Sequence, residues 1–196
     1  MKRAALILSL LSSATASAEV FTLDTRSRTR DAAGNWAVRQ QTVLWEAKAT
    51  AVVVCDMWDL HHCKNAVGRV GEMAPRMNRF LTTARAKGAL IIHAPSSCTD
   101  FYKNHPARKR AQAAPAAAVQ PKAIGSWCHW IDKVEEMQGY PIDHSDGGED
   151  DDPAEHAAWA ERLAELGRNP RSPWKRQVDL IEIDAKRDAI SDSGVE

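Results

Sequence analysis

Asp56 closes the apolar run Thr50-Ala51-Val52-Val53-Val54-Cys55 and is the residue best placed in this sequence for acid–base chemistry. A run that is apolar at successive positions is the pattern of a central parallel strand covered on both faces. A carboxylate at the carboxyl end of such a strand opens on the crevice where α/β sheets bind ligands, and there it can take a proton as general base. The alternative role is to cap the turn that follows. Asp59, His61, His62 and Cys63 come next, and His93 ends a second apolar run, Ala89-Leu90-Ile91-Ile92-His93. If both runs are strands of one sheet, these side chains converge at one end. Imidazole, carboxylate and thiolate are ordinary ligands for transition metals. His61, His62 and His93 are therefore candidate metal ligands, with a divalent metal as the candidate cofactor. The competing reading is that His61 and His62 begin a helix and hydrogen-bond locally.

Other polar clusters have plainer readings. Asp143, Asp146, Glu149, Asp150, Asp151 and Asp152 surround Gly147 and Gly148, but their spacing is not that of an EF-hand loop, so a solvated acidic loop is expected. Lys103, Arg108, Lys109 and Arg110 answer that loop electrostatically or meet an anionic substrate. Trp127, Trp130, Trp159 and Trp174 are expected to build a small satellite core. The four cysteines, Cys55, Cys63, Cys98 and Cys128, contain no C-x-x-C pair; disulfides are open to them, and the spacing leaves their pairing undetermined.

The elements that must position these residues follow from pattern. Val20-Phe21-Thr22-Leu23, Trp36-Ala37-Val38 and Thr42-Val43-Leu44-Trp45 flank the turn-forming Asp31-Ala32-Ala33-Gly34-Asn35, which predicts a β-hairpin over 19–48. A helix is expected over 75–87, with Pro75 in its first turn, Met77, Phe80, Leu81 and Ala84 on one face, and Gly88 past its end. Strand, helix and strand in this order make a βαβ unit. From 97 to 176 lies a long insertion containing one clear helix over 153–166, with Asp152 as N-cap, Pro153 at its first position and Gly167 after its end. A third, alternating strand is expected over 178–183, and 191–196 reads as the beginning of another helix.

The chain has 196 residues, 44% of them hydrophobic and 27% charged, which suits one globular domain. Lys and Arg together number 26, and so do Asp and Glu, a balance that argues against a protein tracking nucleic-acid phosphates. Lys2 and Arg3, the apolar stretch 4–11 and Ala16-Ser17-Ala18 have the order of a secretory signal peptide cleaved after Ala18. The expectation is a periplasmic or secreted protein, with residues 1–18 removed and no membrane partner after cleavage.

The segment Ala51-Val52-Val53-Val54-Cys55-Asp56-Met57-Trp58-Asp59 resembles the opening strand of isochorismatase-like cysteine hydrolases. Asn78 to Gly88, followed by Ala89 to His93, looks like that family's next helix and strand. The resemblance implies an α/β fold with a Rossmann-like parallel sheet of order 3-2-1-4-5-6 and helices on both faces, of which about three of six strands would lie within 49–196. It also implies hydrolysis of an amide-like or vinyl-ether bond in a small molecule by an Asp, Lys and Cys triad. Asp56 matches the Asp. Asp188-Ala189-Ile190 resembles the stretch after the family lysine, a register that puts Asp184 at the lysine position and leaves Lys186, two residues on, as the candidate. No cysteine follows Cys128, so the expectation is an N-terminal portion whose nucleophile is encoded beyond Glu196, and which is inactive alone. Some amidases of this family hold a metal through Asp and His, in a ligand pattern this sequence does not repeat. The alternative function is a secreted binding or metal-holding protein of the same fold. The expected partner is a small-molecule substrate, with a homo-oligomer left open.

Overall fold

The computed structural model describes residues 19–121, 124 and 150–196. The signal-peptide reading, Cys128, Trp127, Trp130, Asp143, Asp146 and Glu149 lie outside these residues.

Two strands, β1 (Val20–Arg30) and β2 (Trp36–Glu46), form the expected antiparallel hairpin, each running further than the apolar pattern indicated. The Asp31 carboxylate builds the turn by accepting from the amides of Ala33 at 2.9 Å and Asn35 at 2.8 Å, while Gly34 supplies the positive φ of 86°. At the base, the Ala47 amide donates to the Glu19 carbonyl, Lys87 pairs with Glu19, and Phe21 packs on the core of the body.

The body is α/β, a three-stranded parallel sheet flanked by helices. Strand β3 (Ala51–Cys55) pairs with β4 (Leu90–Ala94), and β4 with β5 (Ala189–Ile190), in the order β3-β4-β5. Helix α1 (Lys64–Ala86) connects β3 to β4 and covers one face of the sheet. Val54, Met57, Ala74, Leu81, Ala84, Ala89, Ile91 and Ile181 form the core there, with Val52, Val70 and Met77 at its margin. Helix α2 (Pro106–Gln112) packs against β5 at the sheet's far edge, where Tyr102, Ala107 and Ile190 make a smaller cluster. Helix α3 (Pro153–Glu165) is the helix expected in the insertion; Asp152 caps it by accepting from the amides of Ala154 and Glu155.

Three elements differ from the sequence expectation. Helix α1 starts eleven residues early, with Cys63 as its N-cap and Pro75 in its interior. An interior proline costs a helix about 3 kcal/mol. Here the burial of Ala74, Leu81 and Ala84 and the packing of Val70 and Met77 on the same face offset that cost. Residues 178–183 are not a strand. Val178 donates its amide to the Met57 carbonyl, Asn78 binds both the Leu180 carbonyl and the Glu182 amide, and the burial of Val178 and Ile181 follows a turn. The third strand is instead Ala189–Ile190, too short to carry any periodicity. Residues 191–196 are not helical; the Glu196 carboxylate folds back onto Arg108 and Ser191.

Helices on both faces were expected, yet the second face of β3 has no helix over it among the described residues. Val54 is 4% exposed and its neighbour Val53 is 54% exposed.

Candidate functional site

Cys55, at the end of β3, leads into Asp56, whose φ is 51°. Ser97, just past β4, has φ 63°. A non-glycine residue rarely takes up this left-handed region, and such strain tends to gather where a site needs it. Both residues sit at the carboxyl ends of parallel strands, at the same end of the sheet. The Asp56 amide continues the β3–β4 ladder by donating to the Ala94 carbonyl at 3.1 Å, and its Oδ1 accepts from the Ser96 amide at 3.0 Å. Its other oxygen has no hydrogen-bond partner among the described residues, and the residue is exposed. The Ser97 amide is held at 3.0 Å by Asp192, which follows β5.

Asp56 lines a groove of about 540 Å³ on the sheet face opposite α1, bounded on its far side by Arg110, Ala111 and Ala114 at the end of α2. Val53, Leu90 and Ile92 make its apolar floor, with Cys55 beside Asp56 and residues 191–194 along one wall. An apolar slot with one carboxylate fixed by an amide can seat a small molecule and accept a proton from it.

Lys186 does not join this site. It lies exposed on the turn before β5, whereas Asp56 lies beyond the end of β3, so in a parallel sheet the two are at opposite ends. The resemblance placed the lysine by its distance from Asp188-Ala189-Ile190; the structure puts Ser191 and Asp192 at the carboxyl end of β5 instead.

The three histidines occupy two different places. The ring of His93 is fully buried on the α1 face, with Nδ1 2.9 Å from Gln177 Oε1 and Nε2 3.2 Å from Asp188 Oδ2. Gln177 turns its amide nitrogen to the Ile181 carbonyl, which fixes its oxygen toward His93. Asp188 also accepts two bonds from Arg85, at 2.8 and 2.6 Å, and one from the Asp184 amide. Burial works to raise the Asp188 carboxyl, but the Arg85 guanidinium, the Asp184 amide and His93 outweigh it and hold the group below its ordinary range. His61 and His62 lie elsewhere, 4.0 Å apart between ring centroids, with His61 stacked on Trp58 and Trp174. His61 Nδ1 accepts from the Cys63 amide, the local bond expected at a helix start. No three ligand atoms from His61, His62 and His93 are gathered together. Asp59 serves as a clamp, accepting from Arg168 and from the amides of Lys175 and Arg176.

A different set does gather. Cys63, Asp150 and Asp151 bring a sulfur and two carboxylate oxygens within 4.8 Å of one another, with His156 Nδ1 3.7 Å from Asp151. The same carboxylates anchor the start of α1: Asp151 accepts from the amides of Lys64 and Asn65, and Asp150 pairs with Arg69. Burial pushes the Cys63 thiol up; the Arg69 guanidinium holds Asp150 down. Cys63 was named from sequence as a ligand type and 150–152 as an acidic loop, but nothing in the sequence tied residues 87 positions apart to each other.

Cys55, Cys63 and Cys98 are free thiols. No helix among the described residues is long and apolar enough to cross a membrane. No family model, curated protein or solved structure matches this chain.

Proposed function

We propose that this chain contributes the Asp-bearing part of an isochorismatase-like hydrolase with a Rossmann-like sheet, acting on an amide-like or vinyl-ether bond of a small molecule. The observation that carries the reading is Asp56, held in a left-handed backbone conformation by its strand and by the Ser96 amide, in the lining of an apolar groove. In this reading Asp56 takes the proton of a cysteine thiol as the thiolate attacks the substrate. None of Cys55, Cys63 or Cys98 fills the family's nucleophile position, and the reading puts that cysteine after a further strand beside the edge of β3 that is unpaired among the described residues. The lysine of the triad has no counterpart at the carboxyl end of β5, so the cation that favours the thiolate also belongs to that further part. The localisation that goes with this proposal is periplasmic or secreted.

The test is hydrolysis of a panel of small amides and vinyl ethers by the protein as its own cell makes it. Asp56→Asn should lower kcat by orders of magnitude with folding retained. Activity within a few-fold of the parent would remove Asp56 from the mechanism.

A second reading, a protein that holds a divalent metal, is favoured by Cys63, Asp150 and Asp151. Thiolate and carboxylate suit Zn²⁺, and His156 would complete a four-ligand set. Against it stand the Arg69 guanidinium on Asp150 and the positive end of α1, both of which repel a cation. A thiolate-to-cobalt absorption band on titration with Co²⁺, lost in Cys63→Ser, would establish the site; its absence would dismiss it.

A further inference from the structure

The hairpin is a free-standing ribbon of two eleven-residue strands, about 35 Å long at 3.2–3.4 Å per residue. Beyond its base it is open to solvent on both faces, and an isolated two-stranded ribbon is marginal in water. The register sorts its side chains. On one face of the distal half, Arg26, Arg28 and Arg30 stand in a row opposite Gln40, Val38 and Trp36. Alternate residues of a strand repeat about every 7 Å. The guanidinium carbons of Arg28 and Arg30 lie 4.7 and 4.9 Å from the centre of the Trp36 ring.

None of the three arginines forms an ion pair among the described residues. The nearest carboxylate on that face, Asp24, accepts the Thr42 hydroxyl, and the Asp31 carboxylate is taken up by turn amides. Across the strand pair from Arg30 and Arg28 stand two large apolar side chains, Trp36, 53% exposed, and Val38, 64% exposed. Three uncompensated cations alone would suit any polyanion. Cations set opposite an exposed tryptophan and valine suit a surface with phosphate outside and hydrocarbon beneath, where an indole settles at headgroup depth.

We infer that this face of the hairpin is a docking surface for an anionic phospholipid bilayer, with the arginines on the phosphates and Trp36 and Val38 in the interface. The hairpin then acts as an arm that holds the body and its groove beside a membrane without crossing it. This revises the expectation of no membrane partner, and it does not depend on the hydrolase reading.

The experiment is co-sedimentation of the full chain with vesicles of phosphatidylcholine, with and without phosphatidylglycerol. Binding is expected only to the anionic vesicles and is expected to weaken with added salt. Each arginine near such a surface contributes about fivefold in affinity, so the triple variant Arg26→Gln, Arg28→Gln, Arg30→Gln should bind roughly a hundredfold more weakly. The triple lysine variant keeps the charge and should stay within a few-fold of the parent, which separates loss of charge from loss of the hairpin. Trp36→Ala with Val38→Ser should also reduce binding. Absence of binding to anionic vesicles, or unchanged binding in the glutamine triple, would overturn the proposal. So would equal capture on heparin or duplex DNA together with indifference to the Trp36 and Val38 changes, which would mark a site for soluble polyanions.

Discussion

The two faces of the central sheet are made from the same kinds of residue and treated in opposite ways. Val52 and Val54 point to the α1 face, where Leu81, Ala84 and Ile91 pack on them around a hydrogen-bonded network of Arg85, Asp188 and His93. Val53, on the strand between them, points to the other face and is 54% exposed in the groove. A strand apolar on both faces is a strand that needs two covers. The described residues supply one, and the site residue Asp56 sits where the second is absent. On this sheet, stability resides on one side and access on the other.

The covered face should be the sensitive one. Asp188→Asn leaves the buried Arg85 guanidinium without its counter-charge, and breaking a buried pair from one side costs about 3–5 kcal/mol. Urea unfolding should show this as a lower midpoint at an unchanged slope; a loss under 1 kcal/mol would mean that water reaches Arg85 and that this face is less closed than its burial indicates.

The same pair sets an acid dependence. The folded Asp188 carboxyl lies below its unfolded value, so its contribution is complete above the unfolded value and is lost as pH falls through the folded one. Acid-induced unfolding should therefore be less steep in Asp188→Asn than in the parent. Equal steepness would assign the acid response to other carboxylates.

A matched pair of truncations compares the faces directly. At about 0.8 kcal/mol per buried CH₂, Val54→Ala should cost about 1.6 kcal/mol plus a cavity term, and the half-exposed Val53→Ala about 0.7 kcal/mol with no cavity term. Similar losses at both positions would show that the groove is filled in solution, by a second copy or by further polypeptide.

Thiol chemistry gives the gentlest comparison. Cys55 opens on the groove, while burial, aided by the charges of Asp59, Asp192 and Asp56, pushes the Cys98 thiol up to about 11. At pH 8 roughly one Cys98 in a thousand is thiolate. Iodoacetamide should therefore modify Cys55 well before Cys63 or Cys98, read by peptide mass. A protected Cys55 would again mean an occupied groove.

Much of the scaffold was legible because its signals are local. The hairpin is written in Asp31 to Asn35 between two apolar stretches, α3 in Asp152, Pro153 and Gly167, and β3 and β4 in unbroken apolar runs. The early start of α1 was hidden because Pro75 reads as a first-turn residue, and it is tertiary packing of Val70 and Ala74 that carries the helix through. The third strand was misplaced because 178–183 shows an alternation that turn geometry also satisfies, while Ala189–Ile190 shows no pattern at all. Of the candidate site, Asp56 could be named from its place after β3. Its contact with Ser96, the distance of Lys186 and the separation of His93 from His61 and His62 depend on chain reversals that no spacing encodes.

The Asp188–His93 contact joins residues 95 positions apart. At about 5–20 residues per second, a ribosome needs roughly 5–20 s to travel from one to the other. Throughout that interval β3, α1 and β4 exist as a hairpin-capped fragment in which Arg85 and His93 have no acid to face, so the interior of the covered side cannot close. Until Asp188 arrives, the newborn chain has both faces of its β3–β4 pair accessible, and the Asp188 contacts with Arg85 and His93 decide which of them becomes the inside.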